Sequence, residues 1–201
     1  MQSFTPVTRG VPDVSVLFPF GDDEDWIGSA VLRLADHLGQ LDLTFEVLAI
    51  DESSGDNSHA ILTLLGSKVP SLKVVTGAEP GQGFAIGASK ARGNILWLIE
   101  PVNAARSLSA FGRAYGRVCR AELDVAVVRG RFAVVKRALC AGLVGSLRGQ
   151  GAAFERRLAR RAHRRGHAVE AYAIGQPSDQ QLGFAERLRG RLRLVLSPGT
   201  H

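Results

Sequence analysis

FEVLAIDESSGDNSHAIL, residues 45–62, decides how this chain is read. Six residues rich in apolar and β-branched side chains stop at an acidic turn, and Ile61, Leu62 and Leu65 then follow at helical spacing as far as Gly66. An apolar run of that length bounded by turn residues is a buried strand, and Asp56 or Ser58 can cap the helix after it. The same unit recurs on either side. VSVLF (14–18) precedes Ile27, Ala30, Val31, Leu34 and Leu38, a helical stripe closed at Gly39; LKVV (72–75) and ILWLI (95–99) supply two more runs. Strands alternating with helices imply an α/β fold, a mainly parallel sheet with helices on both faces.

The second half is less regular. A helix is expected over 104–120, a strand at 125–128, helical stretches around 133–144 and 152–165, and a strand at 169–174. With 201 residues, 45% hydrophobic and 22% charged, the chain suits one domain. The expected division is an N-terminal extension at 1–12, the domain proper at 13–176 with halves 13–101 and 102–176, and a basic C-terminal tail at 177–201.

Charge is distributed unevenly. Residues 1–101 carry 6 Lys and Arg against 13 Asp and Glu, whereas residues 102–201 carry 19 against 6. Such asymmetry suggests an anionic partner for the basic half, or attraction between the halves. No signal peptide or membrane span is read, and the expected location is cytoplasmic, extending to the membrane periphery. Cys119 and Cys140 form no Cys-x-x-Cys pair and are expected to be buried reduced thiols. His37, His59, His163, His167 and His201 show no metal-ligand constellation and are read as structural or exposed.

In open parallel sheets ligands bind beyond the carboxyl ends of the strands. Three acidic loops fall there: Pro19-Phe20-Gly21-Asp22-Asp23-Glu24-Asp25, Asp51-Glu52-Ser53-Ser54-Gly55-Asp56, and Glu100-Pro101-Val102-Asn103. Capping of helix starts accounts for Asp22 to Asp25 and for Asp56. Asp51 and Glu100 directly follow apolar strands and should point into the crevice. Gly81-Gln82-Gly83 precedes a small-residue helix, which is either an ordinary turn or a backbone able to approach an anion closely.

In order and spacing these segments resemble the nucleotide-binding half of family 2 glycosyltransferases, which have the GT-A fold, a Rossmann-like single domain. VSVLFPFGDDEDWIGSAVLRL is similar to the opening strand, loop and helix, FEVLAIDESSGDNSHAIL to the Asp-Asp-Gly-Ser-type strand end, and GQGFAIGASKARGNILWLIEP to the lead into the Asp-x-Asp strand. The likeness covers residues 13–101. It implies a nucleotide-sugar as ligand, with Pro19, Gly21, Asp22, Asp51 and Ser53 at base and ribose, and Gly81, Gly83, Arg92 and Glu100 completing the nucleotide site.

The family's Asp-x-Asp holds a divalent cation on the pyrophosphate, and here it reads Glu100-Pro101-Val102. The second carboxylate has become an alkyl group that cannot ligate a metal, so Mg²⁺ or Mn²⁺ is expected to bind weakly, with Asn103 offering one neutral oxygen. Lys90, Arg92 and the second-half arginines are the candidate substitutes for its charge. Gly21 and Asp22 stand where Tyr and Asn are usual, which leaves Phe20 or Trp26 to stack on a base.

VVRGRFAVVKRAL (127–139) and Gly151-Ala152-Ala153-Phe154-Glu155 resemble the family's acceptor side, which makes Glu155 the implied general base. At 100° per residue Arg156, Arg157, Arg160, Arg161, Arg164 and Arg165 fill one half of a helix. Glu155 falls near the centre of the apolar half, where it should face the crevice or a buried arginine. The arginine face suits solvent, an anionic surface or an acidic protein. No aromatic platform or module for nucleic acid is present. Two functions follow: a glycosyltransferase that binds a nucleotide-sugar and passes the sugar to an acceptor, or a non-catalytic pseudo-glycosyltransferase serving as a binding or scaffold module.

Overall fold

The computed structural model describes residues 10–173. Expectations for 1–9 and for the tail at 177–201 therefore lie outside the described residues. The elements run β1 (Val14–Phe20), α1 (Ile27–Gln40), β2 (Phe45–Asp51), α2 (Ser58–Leu65), β3 (Leu72–Val75), α3 (Gly83–Lys90), β4 (Ile95–Ile99), a 3-10 turn (Pro101–Asn103), α4 (Ala104–Cys119), β5 (Val125–Val128), β6 (Phe132–Lys136), α5 (Arg137–Leu143), α6 (Gly151–Arg164) and β7 (Val169–Tyr172).

The seven strands form one sheet in the order β3-β2-β1-β4-β6-β5-β7. β1 pairs in parallel with both β2 and β4, so the three longest apolar runs lie side by side. Only β6 runs against its neighbours. Its residues, FAVVK, were expected to open a helix over 133–144, and the structure corrects this: the helix starts only at Arg137. Val134 and Val135 lose side-chain freedom in a helix but suit a strand, and the hairpin turn at Gly130 (φ 67°) lets Phe132 pair with Val128.

Side-chain alternation along the strands builds two cores. Val14, Val16, Phe18 and Phe20 of β1 pack under α1, α2 and α4 with Trp97 and Phe111, whose rings stack at 3.9 Å between centroids. Leu17, Leu48, Leu96 and Leu98 face the other way, under α3, α5 and α6 with Phe84, Phe154 and Leu158. Burying a side chain of this size contributes about 1.5–3 kcal/mol, which fixes the strand register.

Cys140 is buried, and burial pushes its thiol up to about 12. Cys119, expected buried, is exposed in the last turn of α4. Among the described residues no helix is long and apolar enough to cross a membrane.

Candidate functional site

Parallel pairing of β1 with β2 and β4 delivers Phe20, Asp51 and Glu100 to the same edge of the sheet, where all three acidic loops emerge. The first two loops stitch themselves together. Asp22 accepts the Gly55 N–H at 2.7 Å, Glu24 accepts that of Asn57 at 2.9 Å, and Asp56 accepts those of Glu24 and Ser58 at 2.9 Å each. Asp23 accepts the N–H of Gly21 at 3.1 Å and the indole N–H of Trp26 at 2.9 Å. Each carboxylate thus satisfies amides that the loop or helix start would leave unpaired.

Asp51 is held from both sides, by the Ser54 N–H at 2.8 Å and by His59 Nδ1 at 2.9 Å. Ser53 has a left-handed backbone (φ 65°) and donates its hydroxyl to the Ala78 carbonyl at 3.3 Å. Phe20 is 1% exposed and belongs to the core, so it cannot stack on a base; Trp26 is 44% exposed and can.

Glu52 is the hub of the crevice. Its carboxylate accepts the N–H of Gly83 at 2.6 Å, the N–H of Gly81 at 3.0 Å and the side-chain amide of Gln150 at 2.8 Å. The two glycines of the Gly-x-Gly turn therefore give their amides to a protein carboxylate. Gly81 needs its glycine for its positive φ of 78°, and its carbonyl accepts the Gly149 N–H at 2.8 Å, which ties the loop before α6 to this turn. Gly83 lies against Pro19, whose Cβ would be 2.4 Å from a Cβ at position 83.

Glu100 accepts the N–H of Gly151 at the start of α6. Burial pushes its carboxyl pKa up, and the nearby charges of Asp23 and Glu52 add to the rise against the opposing Gly151 bond. Glu155, 7% exposed, accepts the Gly130 N–H at 2.6 Å and also bonds the Arg131 backbone. Burial raises its pKa too, and Glu100 adds to the rise. Of the two surroundings expected for Glu155, it has the crevice wall: its partners are backbone amides of the β5–β6 turn, not a guanidinium. Glu100, Glu155, Arg131, Phe84 and Gly151 line one small cavity of about 10 Å³, about the space of a single water.

Arg92 lies elsewhere. Its backbone N–H and Nε bind Glu46 at 2.7 and 3.2 Å, and Glu46 sits near the start of β2. Arg92 therefore stands at the amino edge of the sheet, opposite the crevice. The reason is α3, which carries the chain back across the sheet by about 1.5 Å per residue. Lys90, at the end of that helix, goes with it. Glu52, Gln150 and His59 were not singled out as site residues; of these only Glu52 had a sequence signal, its place beside Asp51 at a strand end.

The architecture is that of the GT-A fold, the α/β scaffold of nucleotide-sugar glycosyltransferases. Three solved structures share it: a mannosyltransferase from Pyrobaculum calidifontis in complex with GDP-Man and Mn²⁺ (17% identity over 98% of this chain and 68% of that chain, TM-score 0.56), glucosyl-3-phosphoglycerate synthase from Mycobacterium tuberculosis in complex with Mn²⁺, UDP and glucosyl-3-phosphoglycerate (16%, 94% and 82%, 0.60), and S. aureus TarS in complex with UDP-GlcNAc (14%, 94% and 68%, 0.51). No protein-family profile and no curated protein sequence matches the chain.

Two of these relatives in fold carry Mn²⁺, so the fit of such an ion here can be tested. Val102 presents an alkyl side chain that is 60% exposed where the second ligand would stand, and one Glu100 oxygen is already taken by Gly151. Among the described residues no group of three His, Cys, Asp or Glu side chains is arranged to hold a metal. The residues present do not fit a divalent cation.

Proposed function

We propose that this chain is a nucleotide-sugar-binding GT-A domain that does not transfer the sugar, a pseudo-glycosyltransferase acting as a binding module. The observation that carries the reading is the state of the three crevice carboxylates. Glu52, Glu100 and Glu155 are each committed to backbone amides, and the cavity of about 10 Å³ between Glu100 and Glu155 is too small for an acceptor molecule. Transfer requires the leaving diphosphate's charge to be offset by several kcal/mol, and here, among the described residues, three carboxylates face the single guanidinium of Arg131.

Nucleoside recognition has better support. Asp51, fixed by His59 and Ser54, stands at the strand edge where the resemblance puts a ribose, and Ser53, Gly21, Asp22 and Pro19 belong to the same loops. A nucleotide-sugar bound there would place its diphosphate toward Gly81, Gly83 and Glu100. The active alternative, with Glu155 as general base, draws on one observation: burial raises its pKa, which makes it a stronger proton acceptor than an ordinary carboxylate.

Calorimetric titration with UDP, GDP and their sugar forms, joined to an assay for released nucleoside diphosphate, tests the reading. Binding without release supports it. Release of nucleoside diphosphate above the no-protein rate overturns it in favour of the active alternative, and the absence of any nucleotide binding overturns both.

A further inference from the structure

A wide concavity lies away from the crevice, on the outer side of α6. It has a volume of about 440 Å³, within the range of small-molecule sites, and is lined by Arg157, Arg160, Arg161, Arg164, Arg165 and Ser146 along with Leu147. Five guanidinium groups share one groove, and none of them forms an ion pair with a described carboxylate. Like charges gathered this way repel, and nothing in the local chain offsets them: between residues 137 and 166 the sole acidic residue is Glu155, which is turned to the opposite side of the helix.

Three of the five are held in place from behind. Arg161 donates to Ser146 Oγ at 2.6 Å and to the Leu143 carbonyl at 3.3 Å; Arg165 donates to the Gly142 carbonyl, and Arg157 to that of Arg148. A guanidinium has five N–H donors, so each keeps donors free while its position is already fixed. Preorganised forks of this kind match phosphate oxygens two at a time. The exposed large hydrophobic residues of the described chain, Val11, Trp26, Leu32, Leu64 and Val102, all lie on other elements, so α6 has no apolar anchor for lipid.

We propose that this groove is a second anion site that takes a soluble ligand bearing two or more adjacent phosphate groups. It is separate from the crevice, since the loop at 146–150 stands between them, offering Ser146 and Leu147 to the groove while Gly149 and Gln150 bind Gly81 and Glu52.

The test is calorimetric titration of the full chain with inorganic pyrophosphate at about 0.15 M salt, where charges farther apart than about 8 Å are screened. Three forms are compared: wild type, Arg160→Gln/Arg164→Gln, and Arg33→Gln/Arg106→Gln, which removes equal charge from α1 and α4. Neither the Arg160 nor the Arg164 side chain hydrogen-bonds another of the described residues, so that variant should melt with wild type. Pyrophosphate should bind wild type and the α1/α4 variant alike, at least tenfold more tightly than orthophosphate, and the groove variant at least tenfold more weakly. Equal weakening in both variants, equal affinity for orthophosphate, or no binding overturns the proposal. So does co-sedimentation with phosphatidylglycerol vesicles at the same salt that pyrophosphate fails to reverse, which would make the ligand a lipid surface.

Discussion

The carboxylate of Glu52 lies 2.6 Å from the amide nitrogen of Gly83, and a Cβ added to Gly83 would stand 2.6 Å from that same oxygen. The glycine turn and the strand-end glutamate are therefore one device: the amide can reach the carboxylate because no side chain intervenes. Both amides of the turn are thus engaged by a protein carboxylate, and an anion approaching them would meet a like charge.

Gly83→Ala should destabilise the fold by about 2 kcal/mol or more, since the new methyl meets Pro19 at 2.4 Å as well as Glu52. Urea denaturation measures the loss. Glu52→Gln keeps one acceptor and removes the charge, so it should cost less, about 1 kcal/mol, while tightening binding of UDP relative to wild type. If Glu52→Gln leaves UDP affinity unchanged, the carboxylate does not compete for the turn.

At the opposite edge the 1%-exposed Glu46 should be the most pH-sensitive support of the fold. Burial alone would raise its pKa, but the bonds from the Arg92 N–H, Ser15 and Lys73 outweigh it and hold the carboxyl below its ordinary 4.5. A depressed folded value means the contribution is complete above the unfolded pKa and lost as pH falls through the folded one. Glu46→Gln should therefore cost about 2 kcal/mol at pH 7, discounted for the half-exposed heads of Lys73 and Arg92, and should match wild type more closely as pH falls below about 4. A gap that does not narrow in acid refutes this.

How much of this was legible depends on how local each signal is. β1, β2 and β4 announce themselves because burial on both faces leaves VSVLF, FEVLAI and ILWLI almost wholly apolar, broken only by Ser15 and Glu46, which bond each other. β6 does not, because FAVVKRAL reads as apolar helix or strand until Ile99 and Val128 are known to flank Phe132. Asp51 and Glu100 were placed at one edge by strand order alone. Arg92 was misplaced because it follows the glycine turn closely in sequence, while α3 separates the two in space. Glu52 had to be missed as a hub, since its partners Gly81, Gly83 and Gln150 are 29, 31 and 98 residues away.

Nucleoside diphosphate binding should depend little on divalent metal. Val102 offers no ligand and Glu100 is already bonded to Gly151, so a lone carboxylate would hold Mg²⁺ or Mn²⁺ only weakly in water. Titration of UDP with and without Mn²⁺ should give affinities within tenfold of each other. Val102→Asp, at a position exposed enough to accept a charge, should change stability by less than about 0.5 kcal/mol and introduce a Mn²⁺ dependence. Tightening of wild type by tenfold or more with Mn²⁺ would show that Asn103 or one of Asp22 to Asp25 completes a metal site.

Glu155 separates the two functional readings, because a structural and a catalytic role predict different phenotypes for one substitution. Burial and the charge of Glu100 raise its pKa, so the folded state holds a proton more tightly than the unfolded chain does. Between the ordinary 4.5 and the raised folded value the native state binds more protons, and stability falls as pH rises through that window. Glu155→Gln should remove this slope and, by keeping an acceptor for the Gly130 N–H, leave stability at pH 7 within about 1 kcal/mol of wild type. Glu155→Leu strands that amide and should cost about 2 kcal/mol. Urea denaturation at intervals from pH 4.5 to 7.5 gives all three curves; a Gln variant with the wild-type slope would show that another carboxyl, Glu100 first, carries the titration. If Glu155 were the general base, the Gln variant would instead keep its stability and lose measurable sugar transfer by about a hundredfold or more. The domain proposed here has no such activity to lose, and its nucleotide affinity should be the same with either side chain.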